Sequence, residues 1–359
     1  MKTPLLAAAL VLFLARPSPG EPDPLSPLTL GRVDAHAHFL AEAKPVLQLL
    51  DRLNVTAVNI CVVDRYDRGY ETAAPQHRMA RRLARASRGR LPWIAALDDA
   101  GFASAGFANR AITEIERAIA EGAHGVKIYK SMGMELRRSD GTYVLPDDPV
   151  FAPIFTALAQ RGTTVYAHLA EPIAAWQPLD PQSPDYGYYK DNPAWFVYGR
   201  AGVPSKAAIL AARDRLLEQH PRLRVVGCHL GSMEEDVDDI ARRLDRYPNF
   251  AVDTAARVVH LMRQPREKVR AFLIKYQDRV LYGTDVGMIP GDDAAGVARK
   301  LEDRYARDWA YFATTQAIAD EGRTITGLGL PGPVLRQIFR ENAVAWVPGL
   351  VPAAGKPVR

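Results

Sequence analysis

Short runs of apolar and β-branched residues recur along the chain, and they are separated by segments with apolar residues every three to four positions. The first pattern is typical of strands buried on both faces, and the second of helices that bury one face. Eight strands are predicted in this way, at residues 30–38, 55–63, 91–97, 125–129, 163–168, 224–229, 250–253 and 280–282. The helical period is clear at Val46, Leu49, Leu50 and Leu53, after the first strand.

The regular alternation of strands and helices indicates the fold class. Eight strand–helix units over roughly 250 residues predict an α/β protein built as a (β/α)8 TIM barrel. The competing architecture is a doubly wound open sheet, which places a glycine-rich phosphate loop after its first strand. Phe39 and Leu40 follow the first predicted strand without such glycines, so the barrel is favoured.

Several segments fall outside this alternation. Residues 1–20 have a lysine near the start, an apolar stretch and small residues before Glu21, as in a secretory signal peptide. The protein is therefore expected to be exported, either periplasmic or secreted. Residues 21–347 are predicted to form one barrel domain, and residues 348–359 a C-terminal tail. Residues 171–202, rich in proline and aromatic residues, are expected to close over the barrel mouth, with a disordered or dimer-packing insertion as the alternative.

Composition and charge narrow the classes of partner. The chain is 48% hydrophobic and 24% charged, which is a globular composition. Its net charge of +5 falls to about +3 if Lys2 and Arg16 leave with the signal peptide, too little to indicate nucleic-acid binding. Cys61 and Cys228 are too few for a disulfide framework and are predicted to be small buried residues. The expected partner is a small-molecule substrate, with no stable membrane span after signal cleavage, and homo-oligomerisation stays open.

Polar residues at the ends of the predicted strands carry the candidate chemistry. His36 and His38 lie two residues apart on the first strand, where side chains point the same way, so that both imidazoles can bind one metal ion. The alternative is a pair of ordinary hydrogen-bonding histidines that end a strand. The C-terminal ends of barrel strands share one mouth, and together these residues predict a metal site there. The other strand-end residues are Lys127 (fourth strand), His168 (fifth), His229 (sixth) and Asp285 (after the eighth).

At this point the sequence resembles the amidohydrolase superfamily. The motifs that carry the resemblance are 36–38 (HAH), 125–129 (GVKIY), 166–168 (YAH), 227–231 (GCHLG) and 282–285 (YGTD). Four further segments resemble the amidohydrolase-related group called family 2, which also contains metal-dependent decarboxylases and hydratases. They are 148–151 (DPVF), 246–249 (RYPN), 277–279 (QDR) and 341–343 (ENA).

The resemblance implies a ligand set and a division of roles. One divalent ion, expected to be Zn2+, would be held by His36, His38, His168 and Asp285. Asp285 would also act as general base toward a metal-activated water. His229 would polarise the scissile carbonyl and stabilise the oxyanion.

Two further residues have more than one interpretation. In two-metal members of the superfamily the lysine corresponding to Lys127 is carboxylated and bridges both ions. We favour one ion, with Lys127 as a cation near the substrate carboxylate or oxyanion; a lysine paired with an acid inside the barrel is a third interpretation. Arg257 either binds a substrate carboxylate or pairs with Asp253. His77, His124, His220 and His260 are expected on helices or loops, as surface or core residues.

These features together predict an exported, metal-dependent hydrolase acting on an amide, ester or lactone of a small organic molecule. A family 2 decarboxylase or hydratase, using the same metal site as a lyase, is the first alternative. A non-catalytic metal-binding barrel is the second, and the presence of both Asp285 and His229 argues against it.

Overall fold

The computed structural model describes residues 26–42, 44–320 and 322–352. The predicted signal peptide, residues 1–20, lies outside the described residues. Of the predicted tail, residues 348–352 are described, and Leu350 there is buried in a hydrophobic cluster with Trp346 and Val347. No helix in the described ranges is long and apolar enough to cross a membrane.

Within the described residues, nine parallel strands form one sheet with the order β8-β7-β6-β5-β4-β3-β2-β1-β9. The strands are β1 Val33–Phe39, β2 Thr56–Ile60, β3 Trp93–Ala96, β4 Ala123–Ile128, β5 Thr164–Ala167, β6 Val225–Gly227, β7 Phe250–Asp253, β8 Val280–Leu281 and β9 Gly287–Met288. The sheet closes on itself because Ala35 N–H donates to the carbonyl of Tyr282, directly after β8, at 2.7 Å. This closure makes the sheet a (β/α)8 barrel, as predicted.

Helices follow the strands around the barrel. The longer ones are α2 Lys44–Arg52, α3 Ala73–Ala86, α4 Phe107–Ala120, α6 Ala152–Arg161, α8 Lys206–Gln219, α10 Val237–Arg246, α12 Arg266–Lys275 and α13 Ala294–Ala313. The shorter ones are α1 Pro27–Leu30, α5 Ser131–Met134, α7 Tyr186–Asp191, α9 Cys228–Gly231, α11 Val258–Leu261, α14 Gly332–Arg336 and α15 Asn342–Trp346. Single 3-10 turns cover Ile173–Trp176 and Pro193–Trp195, and a short π-helix covers Gln337–Glu341. An antiparallel pair is formed by β10 Ala317–Asp320 and β11 Arg323–Thr326.

The predicted strands all occur, with corrections to their bounds. The first does not include Leu30, which ends α1, because Gly31 takes a left-handed conformation with φ 64° and turns the chain into β1. The sixth stops at Gly227, and His229 lies in the following turn. His124 lies on β4 rather than on a helix or loop.

The C-terminal segment closes the barrel at the end opposite the strand-end histidines. Thr164, the first residue of β5, donates a side-chain hydrogen bond to the Trp346 carbonyl, and the Trp346 indole donates to Asp278, just before β8. Trp346 and Leu350 pack in one cluster with interior residues of the strands. The mouth at the C-terminal strand ends is therefore the open end of the barrel.

Candidate metal centre and substrate cavity

The strand ends bring most of the predicted site residues together at this mouth. His36 and His38 lie on β1, His168 directly follows β5, and His229 follows β6. His229 and Asp285 have positive φ values of 58° and 65°. Such values are uncommon for residues other than glycine, and they persist where the surrounding structure enforces them, often at functional sites.

The hydrogen bonds of the β1 histidines fix which ring nitrogens face the centre. His36 Nδ1 lies 2.7 Å from a carboxylate oxygen of Asp253, and His38 Nδ1 lies 2.7 Å from the carbonyl of Ile60. Both partners are acceptors, which assigns the proton of each neutral ring to Nδ1. The Nε2 lone pairs then face each other at 3.1 Å, an arrangement that a cation between them would stabilise.

Asp285 completes a group of three lone-pair atoms. Its Oδ1 lies 3.2 Å from His38 Nε2 and 3.5 Å from His36 Nε2. Four ligands at about 2.0–2.1 Å from a tetrahedral Zn2+ lie about 3.3 Å from one another. The three observed separations fall close to that value, so this group fits a small divalent ion.

The chain after β8 is held against β1, which places Asp285 beside the two histidines. The Asp34 carboxylate accepts hydrogen bonds from Thr284 N–H at 3.0 Å and from its hydroxyl at 2.6 Å. Asp285 N–H donates to the His36 carbonyl at 2.8 Å. Gly283 is required at this contact, because a Cβ there would lie 2.8 Å from that of His36.

His168 and His229 form a second pair of imidazoles, with ring centroids 4.2 Å apart. His168 Nε2 is buried and has no hydrogen-bond partner among the described residues. An orphaned buried nitrogen is costly unless a ligand occupies it. His168 is in neither of the two groups whose possible ligand atoms all lie within 4.8 Å of one another among the described residues, which are His36, His38 and Asp285, and His36, His229 and Asp253. Burial lowers the pKa of His168 well below its usual range and that of His229 to about 3. Both rings are therefore neutral at pH 7, as metal ligands must be.

His229 takes a tautomer that bears on its predicted role. Its Nδ1 lies 2.9 Å from the carbonyl of Ala255, which assigns the proton to Nδ1 and leaves Nε2 as an acceptor. A neutral His229 in this tautomer cannot donate a hydrogen bond from Nε2 to an oxyanion. The predicted oxyanion role therefore requires a protonated ring.

We call His36, His38 and Asp285 the metal group. Lys127 lies beside it and not in an ion pair. Its ammonium is buried, 3.3 Å from His36 Nε2 and 3.1 Å from Cys228 Sγ. Among the described residues no carboxylate lies within ion-pair distance of it, so the interpretation of Lys127 as paired with an acid inside the barrel is wrong. Cys228 and Cys61 are both buried free thiols, as predicted.

Arg257 does not pair with Asp253, which corrects one of its two interpretations. It donates to the carbonyl of Ala256, and its buried Nε has no partner among the described residues. It also does not line the cavity described below, so substrate binding by Arg257 stays a prediction. Among the other histidines, His77 accepts from Ala96 N–H and His260 pairs with Asp185 at 3.3 Å.

Asp253 is a site residue that sequence reasoning missed. It ends β7, and its two oxygens are fully used: Oδ2 by His36 Nδ1, and Oδ1 by the backbone N–H groups of His229 and Ala255 at 2.8 and 3.1 Å. The signal was available, because Asp253 is the polar residue that closes the seventh predicted strand. The sequence pattern alone predicts Asp253 only as a possible partner of Arg257.

A cavity of about 220 Å³ opens beside the metal group. Its polar and aromatic lining residues are His38, Asp64, Asp67, Tyr70, Lys127, Tyr129, His168, Tyr188, Asn192, His229 and Asp285. Tyr188 and Asn192 belong to the predicted insertion, residues 171–202. The cavity thus joins the metal group to two further surfaces, one from the loop after β2 and one from the insertion.

The fold and the site define an α/β-barrel protein with a histidine–aspartate group suited to a divalent ion. Residues 33–348 match the family model described as amidohydrolase. The chain belongs to the amidohydrolase family. No curated protein matches the chain.

Solved structures support the same fold. A 2,6-dihydroxybenzoate decarboxylase in complex with 2,6-dihydroxybenzoate is 17% identical, with a TM-score of 0.52 over 88% of this chain and 99% of that one. A protein described as amidohydrolase II is also 17% identical, with a TM-score of 0.50 over 88% and 99% of the two chains. At this identity the likeness shows the barrel fold.

Proposed function

We propose that this protein is a metal-dependent hydrolase that cleaves an amide, ester or lactone bond of a small organic molecule. The supporting observation is the group of His36 Nε2, His38 Nε2 and Asp285 Oδ1, held 3.1–3.5 Å apart beside a cavity. A divalent ion there, which we propose to be Zn2+, supplies a Lewis acid and lowers the pKa of water to about 7. His168, with its unpartnered Nε2, is the proposed fourth ligand.

Asp285 is the proposed general base. The Asp285 side chain lines the cavity and is 29% exposed, whereas that of His36 is fully buried. While Oδ1 faces the β1 histidines, Oδ2 lies on the side of His229, 4.0 Å from its Nδ1. A proton taken up by Asp285 can be returned to the leaving group as the bond breaks.

Lys127 is the proposed stabiliser of the oxyanion. It is the one lysine or arginine among the described residues that line the cavity, and its ammonium lies against the metal group. A cation at this position stabilises negative charge that develops on the substrate carbonyl. The neutral His229, with Nδ1 committed to a carbonyl, then serves as an acceptor or as a ligand.

A decarboxylase is the second candidate. The solved 2,6-dihydroxybenzoate decarboxylase has the same barrel at a TM-score of 0.52, so the scaffold is compatible with that reaction. In both candidates the metal group holds one end of a small substrate in the cavity. The products separate the two, because a hydrolase releases a new carboxylate and a decarboxylase releases CO2.

Two further features complete the proposal. We infer one ion per chain, with Lys127 unmodified; a second ion would need Lys127 carboxylated. We also propose that the protein is exported, on the basis of residues 1–20 of the sequence.

The test begins with metal content. Protein stripped with a chelator is reloaded with Zn2+ or Mn2+, and the ions per chain are counted by mass spectrometry. The loaded protein is then incubated with aryl esters, lactones, N-acyl amines and hydroxybenzoates, and the formation of carboxylate and CO2 is measured. We expect carboxylate formation that depends on metal and falls by at least about 100-fold in metal-loaded Asp285→Asn. The matched control is Asp303→Asn, an exposed aspartate on α13. Near wild-type turnover in loaded Asp285→Asn, or CO2 as the product, would overturn the proposal.

A further inference from the structure

The charges around the cavity are divided between its two ends. We call the surface formed by Asp64, Asp67, Tyr70, Tyr129 and Tyr188 the outer wall; all five line the cavity, and none belongs to the metal group. This wall carries two carboxylates and three phenol rings and no lysine or arginine. The lining ammonium, that of Lys127, lies at the metal end.

The two wall carboxylates differ in what they bind. Asp64 is buried and saturated: its oxygens accept from Tyr129 OH at 2.7 Å, from the Trp195 indole at 3.0 Å and from Tyr66 N–H at 2.9 Å. Asp67 has no side-chain hydrogen bond or ion pair among the described residues, and it is exposed to the cavity opening. A substrate group can therefore engage Asp67 without displacing a protein contact.

Asp67 is presented by a loop that is fixed at its base. Asp64 N–H donates to the Tyr70 carbonyl at 3.0 Å, and Tyr70 N–H donates to the Asp67 carbonyl at 3.1 Å. The Gln76 amide donates to the carbonyls of Val62, two residues after β2, and Tyr70 at 2.6 and 3.1 Å, which joins the two ends of the loop. A carboxylate held on such a loop loses little conformational freedom when it binds a ligand.

The loop's own arginines leave Asp67 unneutralised. Arg65 is used by Asp99 and by Glu135, with which it pairs at 3.0 Å. Arg68 forms no ion pair with Asp67 among the described residues. Partial burial raises the pKa of Asp67, and the neighbouring Asp64 charge adds to this shift, while the Lys130 ammonium opposes it.

The Lys130 ammonium is bound within the protein by aromatic rings and a carboxylate, the same kinds of group that form the outer wall. Lys130 is fully buried 4.2 Å from the centre of the Trp195 ring and 5.1 and 5.3 Å from those of Tyr129 and Tyr188. It pairs with Glu171 and donates to Tyr188 OH. Aromatic faces with a carboxylate are a known combination for ammonium recognition, and Lys130 lies behind the wall rather than in the cavity lining.

From this division of charge we propose that the substrate carries a protonated or quaternary amine, which the outer wall binds through Asp67 while the scissile carbonyl lies at the metal group. The substrate class rests on the proposed function, since it assigns the inner end to the bond that is cleaved. The ammonium-binding wall itself does not require turnover. The electrostatic field between the wall carboxylates and the Lys127 ammonium favours a cation at the outer end of the ligand and an electron-rich group at the inner end.

Binding of simple probes to the metal-loaded protein tests the wall without any reaction. The probes are benzyltrimethylammonium, which has no lone pair to offer a metal, benzyl alcohol as a neutral ligand with the same ring, and benzoate as the anion. Dissociation constants are measured by calorimetry for wild type, Asp67→Asn and the matched surface control Asp303→Asn. Melting temperatures show that each variant is folded.

We expect wild type and Asp303→Asn to bind benzyltrimethylammonium at least about fivefold more tightly than benzyl alcohol, and Asp67→Asn to lose that preference. Asp67→Lys should reverse it in favour of benzoate. Equal binding of cation and alcohol by wild type, or an unchanged preference in Asp67→Asn, would overturn the inference. If these results hold while no carboxylate forms from any ester or amide, the proposed function fails and the ammonium-binding wall stands.

Discussion

Replacing Asp253 with asparagine should weaken metal binding although Asp253 is not one of the proposed ligands. The carboxylate has two acceptor oxygens and uses both, one for His36 Nδ1–H and one for the backbone N–H groups of His229 and Ala255. Asparagine offers only one acceptor. If its oxygen keeps the two backbone donors, its amide faces His36 Nδ1, moves the ring proton to Nε2 and blocks the ligand lone pair. If the amide is reversed, its NH2 faces the two N–H groups and both lose their acceptor.

The magnitude follows from what these contacts do. Changes in groups that orient metal-bound histidines cost about 10–100-fold in metal affinity. The His36–Asp253 bond is 2.7 Å long with both side chains fully buried, and either asparagine orientation breaks a contact. We therefore expect the upper end of the range, about 100-fold or about 2.7 kcal/mol.

The assay is competition for Zn2+ against a chromophoric chelator, with circular dichroism to confirm folding. The matched control is Asp308→Asn, at another fully buried aspartate. Asp308 accepts a hydrogen bond from Tyr282 OH at 3.0 Å and has no hydrogen bond or ion pair with a histidine among the described residues. The Zn2+ affinity of this control should stay within about threefold of wild type. An Asp253→Asn protein that is folded and binds Zn2+ as tightly as the control would refute the assigned role of Asp253.

Two other predictions concern stability. Lys130→Met should lower the free energy of unfolding, measured in urea, by about 3–5 kcal/mol, because it leaves the buried Glu171 carboxylate without its cation. The double variant Lys130→Met/Glu171→Gln should recover part of the loss. A Lys130→Met protein as stable as wild type would contradict the importance of this ion pair. Burial raises the pKa of Asp308 from 3.8 to about 6, so the stability it contributes is complete below about pH 4 and is lost as the pH rises through 6. Asp308→Asn should therefore remove up to about 3 kcal/mol of this pH dependence, measured as urea unfolding between pH 4 and 7, and an unchanged slope would refute a buried titrating Asp308.

The barrel could be predicted because parallel strands are covered on both faces. Such strands appear as continuous apolar runs, and the runs at 55–63 and 250–253 contain the observed β2 and β7. Their ends could not be read in the same way. An apolar residue continues the pattern whether it lies in a strand or in the turn beside it, as Leu30 does before Gly31.

The strand-end histidines and Asp285 could be found because the barrel topology gathers strand ends at one mouth. The hydrogen-bond partner of each ring nitrogen could not be predicted, because it is an acceptor distant in sequence, such as the carbonyl of Ile60 for His38 and that of Ala255 for His229. The same limit applies to Arg257. Its position after β7 was evident, but its bond to the Ala256 carbonyl, in place of the ion pair with Asp253, was not.

Three aspartates at the site differ in how many of their carboxylate oxygens are already bonded to the protein, and we propose a different role for each. Asp253 has no free oxygen and acts only through the histidines that it orients. Asp285 directs Oδ1 to the β1 histidines, and its partly exposed side chain lines the cavity, where we propose that it exchanges a proton with a substrate. Asp67 has no protein partner among the described residues, so its charge is available to a ligand. Among the described residues that line the cavity, the one lysine or arginine is Lys127, at the metal end, so a ligand that complements both ends carries its positive charge at the outer end.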